Sequence, residues 1–178
     1  MDLEGMHIAM LAEDNYEELE LWYPVYRLRE AGASVVIVGS GRSPSFTGRY
    51  GYPVKPDKDI KDVMAANFDA VVIPGGYAPD LMRRSPEMVK FVRDMNSAGK
   101  AVAAICHAGW MLVSADIVTG RHATCFFSVK DDLVAAGALY EDASVVVDGN
   151  LITSRFPADL PHFCKAIIAK LAPASVSA

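Results

Sequence analysis

The residues Ala101-Val102-Ala103-Ala104-Ile105 form a wholly apolar run that passes without a spacer into Cys106-His107-Ala108-Gly109. An apolar run with no polar alternation fits a strand covered on both faces, as strands are inside a parallel sheet. His7 to Ala12, Ser34 to Val38 and Asp69 to Ile73 read the same way. Helical stretches separate them. Asn15 to Ala31 places Leu19, Trp22, Tyr26 and Leu28 on one broad face. Asn15 with Glu18 resembles a capping box, and Gly32 closes the helix. Pro86 to Ala98 and Val129 to Ala136 are helices closed by Gly99 and Gly137, and His107 to Ala115 is a helix that starts at the end of the fourth strand. Thr47 to Val54 reads as a turn with a short β segment. Asp148-Gly149-Asn150 between two apolar runs is a hairpin signal. Leu160, Phe163, Ile167, Ile168 and Leu171 line one side of a terminal helix. Met10, Met64, Met82, Met88 and Met111 read as core filler.

Strands alternating with helices imply an α/β protein with a mainly parallel sheet and helices on both faces. The size, 178 residues, fits one flavodoxin-like domain over residues 1–172, with 173–178 as a fraying tail. In such sheets ligands bind beyond the carboxyl ends of the strands. Three segments are thereby singled out: those after Ala12, after Ile73 and after Ile105.

The last of these carries the sharpest chemistry. A buried strand that turns straight into a helix through small residues has the layout of a nucleophile elbow. Cys106 would sit at a helix N-terminus, where unpaired N–H groups favour an anion, so its thiol is expected to ionise more readily than a free one. A cysteine in an apolar context is by default a small core residue. The strand-to-helix junction, the adjacent His107 and the Pro74-Gly75-Gly76 turn reverse that default here. Glycines at a strand end let backbone N–H groups of Gly75 and Gly76 face an oxyanion. His107 is the expected base or orienting partner, although adjacent residues on a helix start point in different directions. Asp80 follows the glycine turn and is a candidate orienting acid. After Ala12 come several acids. Glu20 stands out because Pro24, four residues on, removes the N–H that would bond the Glu20 carbonyl and should bend the helix toward the strand ends. A carboxyl held beside a thiolate stays protonated and donates to sulfur. Glu17, one turn earlier, shares that space. His7, His122, His162 and Cys164 read as structural, and Cys125 as packing, with a second redox thiol as its alternative.

Composition closes other routes. The net charge is −5, with both signs interleaved and no basic run, which argues against a stable nucleic-acid complex. No apolar stretch approaches the ~20 residues that span a bilayer, and the start Met1-Asp2-Leu3-Glu4-Gly5 lacks a signal-peptide pattern, so a cytoplasmic protein is expected. Three cysteines without a Cys-x-x-Cys pair argue against a disulfide framework or a structural zinc. No phosphate loop or nucleotide fingerprint is present, so no cofactor and no metal are expected.

Ala104-Ile105-Cys106-His107, Pro74-Gly75-Gly76-Tyr77-Ala78-Pro79-Asp80, Thr47-Gly48-Arg49-Tyr50-Gly51-Tyr52 and Val146 to Arg155 together resemble the ThiJ/PfpI family, more narrowly its PfpI-type intracellular protease branch. The resemblance runs from about His7 to the terminal helix. It implies a flavodoxin-like three-layer sandwich related to class I glutamine amidotransferases. It implies a reactive Cys106 partnered by His107, a carboxylate near the sulfur at Glu20 or its neighbour Glu17, and an oxyanion site at the backbone of Gly76 and His107. In the branch, an acid from an adjoining subunit completes a Cys-His-acid triad. Asp80 holds that position, where glutamate is frequent. A homo-oligomer, dimer or hexamer, is implied with it. Ala108 stands where the family usually has glycine, and Phe126 where the branch often has a pocket tyrosine. The activities implied are hydrolysis of methylglyoxal or glyoxal adducts, glyoxalase chemistry or peptide cleavage, on small carbonyl adducts or a peptide substrate. A redox-sensing stress protein or chaperone acting through oxidation of Cys106 is the alternative. A glutamine amidotransferase needs a distant His-x-Glu, and His162-Phe163-Cys164 does not supply it.

Overall fold

The computed structural model describes residues 2–172. The expected fraying tail, 173–178, lies outside them. Seven strands form the central sheet: β1 (His7–Ala12), β2 (Ser34–Gly39), β5 (Lys58–Asp59), β6 (Ala70–Ile73), β7 (Ala101–Ile105), β10 (Val145–Asp148) and β11 (Leu151–Ser154). Two small pairs lie outside it. They are β3 (Phe46–Thr47) with β4 (Pro53–Val54), and β8 (His122–Ala123) with β9 (Leu139–Tyr140). The helices are α1 (Glu18–Glu30), α2 (Ala78–Met82), α3 (Pro86–Ser97), α4 (Gly109–Ser114), α5 (Lys130–Ala135) and α6 (Leu160–Leu171).

The sheet order is β10-β11-β7-β6-β1-β2-β5. Every neighbour pair is parallel except β10 with β11, the hairpin turned by Gly149 at φ 57°. Every residue of β6 and β7 is buried, which is why both read as unbroken apolar runs. From β1 the chain steps one way to β2 and the other way to β6 and β7. Right-handed crossovers therefore put α1 and α3 on opposite faces. α1 and α6 pack together over one face, and α3 and α4 over the other, giving three layers. Reversal of direction at β1 and β6 opens a crevice at their carboxyl ends, where such folds bind ligands.

Four expectations fail for local reasons. α1 begins at Glu18, with no side-chain cap from Asn15. Asn15 is in the left-handed region at φ 60°, Tyr16 forms an antiparallel bridge with Gly76, and the Glu18 carboxylate accepts the Tyr50 N–H at 2.7 Å instead. The buried face of α1 is Glu20, Leu21, Pro24, Val25 and Leu28, while Leu19 and Tyr26 are exposed. An acid on the inward face rotates the helix away from its most obvious apolar stripe. Met64 is exposed rather than core, because it lies in an irregular connection before β6. The helix expected from His107 is a 3₁₀ turn, Cys106–Ala108, running into α4.

Candidate active site

Cys106 follows the last residue of β7 and takes φ 62°, a left-handed conformation that costs a non-glycine residue on the order of 1–3 kcal/mol. That turn swings the side chain back over the strand ends. It also brings Cys106 Sγ within 3.2 Å of His107 Nδ1, although the two residues are adjacent in sequence. The residue is 7% exposed, but polar groups surround the sulfur. The backbone N–H groups of His107 and Gly76 favour its anion, and the Glu20 carboxyl is near enough to act on its charge.

Gly75 and Gly76 make this approach possible. A Cβ on Gly75 would stand 2.5 Å from Glu20 Oε2 and 2.7 Å from Cys106 Cβ. Gly76 has φ 72°, and a Cβ there would meet backbone atoms of residues 15–17 at 2.4 to 2.8 Å. Gly76→Ala is therefore expected to destabilise the protein by about 3 kcal/mol, lowering Tm by roughly 10 °C in a thermal melt. A melt within two degrees of the parent would show that the turn has room it is not credited with.

Glu20 is fully buried, and Oε2 accepts the Gly75 N–H at 2.7 Å. Burial, with a smaller push from the charge of Glu17, raises its carboxyl from 4.5 to about 8. It is thus protonated at neutral pH, and its other oxygen, Oε1, is buried with no hydrogen-bond partner among the described residues. Against the sequence expectation, the Cys106 thiol is pushed above its ordinary value, first by burial and then by the charge of Glu20, while the amides of His107 and Gly76 pull it down. When Glu20 holds the proton its charge no longer opposes the thiolate. The imidazole of His107 is pushed below its ordinary value by burial and by the charge of Arg49. It stacks on Phe126, 4.8 Å between ring centres, and meets the Trp110 ring edge-on at 5.2 Å. Ser128 Oγ lies 3.3 Å from Nε2.

The structure thus brings Cys106, His107, Glu20, Gly75, Gly76 and Phe126 together. Glu17 is buried beside Glu20 and reaches Arg49 rather than the sulfur, at 3.5 Å. Asp80 is not brought to His107 within one chain: on α2 its carboxylate pairs with Arg84 one turn later. A cleft of about 420 Å3 lined by Asn15, Arg49, Gly76, Tyr77, His107 and Trp110 opens over the site. Arg49, Trp110 and Ser128 were not singled out from the sequence. Trp110 lies three residues after His107 on the same turn of chain, a usable signal. The contact of Ser128 depends on chain folding over 21 residues and had none. Cys125 and Cys164 are buried, as core residues. Among the described residues, no group of three or more His, Cys, Asp or Glu is placed to hold a metal ion, and no helix is long and apolar enough to cross a membrane.

Comparison with known proteins points one way. A deglycase of Pyrococcus horikoshii is 44% identical over 155 residues, covering 87% of this chain and 93% of its own length. The protein/nucleic acid deglycase 2 of Escherichia coli is 40% identical over 158 residues, covering 88% and 92%. The crystal structure of Drosophila melanogaster DJ-1beta superposes with a TM-score of 0.88 at 31% identity, over 94% of this chain and 90% of that one. Residues 6–170 match the DJ-1/PfpI family, and with the elbow cysteine, the buried glutamate and the glycine turn in place, the chain belongs to that family.

Proposed function

We propose that this protein is a cysteine-dependent hydrolase that removes methylglyoxal or glyoxal adducts from amino groups. The observation that carries the reading is the sulfur of Cys106, held at positive φ against two backbone N–H groups, a neutral carboxyl and an imidazole nitrogen. Its relatives named deglycases support the class of reaction. In this reading the thiol proton passes to His107 Nδ1 and the sulfur adds to the electrophilic carbon of the adduct. The developing oxyanion faces the N–H groups of Gly76 and His107. For a methylglyoxal adduct, the net reaction takes up one water and releases the free amine and lactate, so no external oxidant or reductant enters. The cleft is compact, which suits a small carbonyl adduct better than an extended chain.

A relative from Bacillus subtilis, 43% identical over 156 residues, is named as a cysteine protease, so peptide cleavage is the competing outcome. Purified protein is incubated with a methylglyoxal adduct of an acetylated amino acid and, separately, with a fluorogenic peptide. Adduct clearance above the uncatalysed rate, with a negligible rate on peptide, is expected. Peptide hydrolysis without adduct clearance would replace this reading with the protease one.

A further inference from the structure

We infer that Ser128 is the positioning residue for His107, taking the place within one chain of an orienting acid. Three observations meet here. His107 Nδ1 is 3.2 Å from Cys106 Sγ and Nε2 is 3.3 Å from Ser128 Oγ, so the ring is spanned between nucleophile and hydroxyl. Among the described residues no carboxylate is hydrogen-bonded to the ring. Asp80 is engaged by Arg84, and Asp132, four residues after Ser128, accepts the Trp110 indole N–H at 3.0 Å. Ser128 is also fixed to the nucleophile through the backbone. Its 3₁₀ turn, Phe127–Val129, is closed by the Val129 N–H to the Phe126 carbonyl at 2.9 Å, and the Phe126 N–H donates to the Cys106 carbonyl at 3.2 Å. Phe126 then packs its ring flat on the imidazole, so the chain that supplies the hydroxyl also clamps the ring.

The chemistry follows from the two nitrogens. A neutral imidazole has one donor and one acceptor. For Nδ1 to accept the thiol proton, the ring proton must sit on Nε2, and Ser128 Oγ is where that N–H can donate. When Cys106 gives up its proton, the S–H bond breaks and an N–H bond forms at Nδ1. The ring becomes an imidazolium donating to the thiolate through Nδ1 and to Ser128 through Nε2. Ser128 thereby favours the competent tautomer before the transfer and the charged ring after it. Around this pair the other charged or titratable groups are Glu20 and Glu17 behind the sulfur, Arg49 and Tyr77 on the cleft wall, and Asp132 beyond Trp110, and none of them is hydrogen-bonded to Nε2.

This rests on His107 serving Cys106, as the proposed reaction requires, but the test uses no substrate. Loss of the deglycase reading would therefore leave its result intact. Ring-nitrogen NMR shifts of His107 and the pH profile of Cys106 alkylation by iodoacetamide are measured in the full chain and in Ser128→Ala, Ser128→Thr and Asp80→Asn. In Ser128→Ala, alkylation near neutral pH is expected to slow about fivefold, the loss of one modest hydrogen bond. The Nε2-protonated tautomer should lose population in the same variant, and Ser128→Thr should restore both readouts. If Ser128→Ala leaves tautomer and profile as in the parent, the inference is overturned. It is overturned equally if threonine fails to rescue a well-folded protein, or if Asp80→Asn is the variant that moves the tautomer.

Discussion

Cys106→Ala is expected to lower kcat/KM for adduct hydrolysis by ~10³-fold or more, because a nucleophile has no substitute when it is removed. The site has no second sulfur to inherit the role. Cys125 and Cys164 are each 1% exposed and neither lines the cleft, so neither can meet an adduct there. The stability change should be small. Alanine keeps the strained positive φ and removes one atom from a residue that already has solvent on one side, so a shift within about 1 kcal/mol is expected. A large activity loss with a nearly unchanged melt separates a chemical role from a packing role. Cys106→Ser extends the test. It keeps a hydroxyl in the cradle, yet a serine hydroxyl loses its proton far less readily than a thiol, so a similar loss is expected. If either variant retains more than a tenth of the parent rate, the sulfur is not the nucleophile and the proposed reaction fails.

The sheet was legible because of where it lies. β1 and β7 match the runs His7 to Ala12 and Ala101 to Ile105 to the residue, since both faces of each strand are covered and no polar residue interrupts them. The elbow was legible because small residues cluster around one cysteine at a strand end. What escaped was set by contacts distant in sequence. Glu18 looked like half of a capping box, but residues 48–52 fold over it and take its carboxylate. Leu19 and Tyr26 looked like core, but Glu20 occupies the inward direction and turns them out. The two-residue strands β5, β8 and β9 carry too few residues for any period to show. Ser128 belongs to the same class: nothing next to it in the chain marks it, and only the Phe126-to-Cys106 backbone bond brings it to the ring.

Glu20→Gln is expected to flatten the dependence of stability on pH between about pH 5 and pH 8. The sign follows from the two states. In the unfolded chain the carboxyl titrates at its ordinary 4.5, and in the folded protein at about 8. Between those values the folded protein holds a proton that the unfolded chain has released. Stability from this group is fully present below 4.5 and is lost as pH rises through 8. At about 1.4 kcal/mol per tenfold change, the full loss is on the order of 5 kcal/mol. Glutamine imitates the protonated side chain. Its oxygen can accept the Gly75 N–H and its amide can donate to the sulfur, with nothing left to ionise. His107 contributes with the opposite sign, because its folded imidazole is pushed down and gains stability as pH rises, but it is present in both proteins and cancels in their difference. The unfolded Cys106 thiol releases its proton only near ~8.5, which leaves the window to Glu20. Denaturant unfolding at several pH values would then give two curves that meet near pH 5 and diverge toward pH 8.5, with glutamine the more stable protein at the alkaline end. Parallel curves would mean that Glu20 is ionised in the folded protein at neutral pH. The sulfur would then face a buried negative charge instead of a hydrogen-bond donor, and a thiolate could not persist beside it.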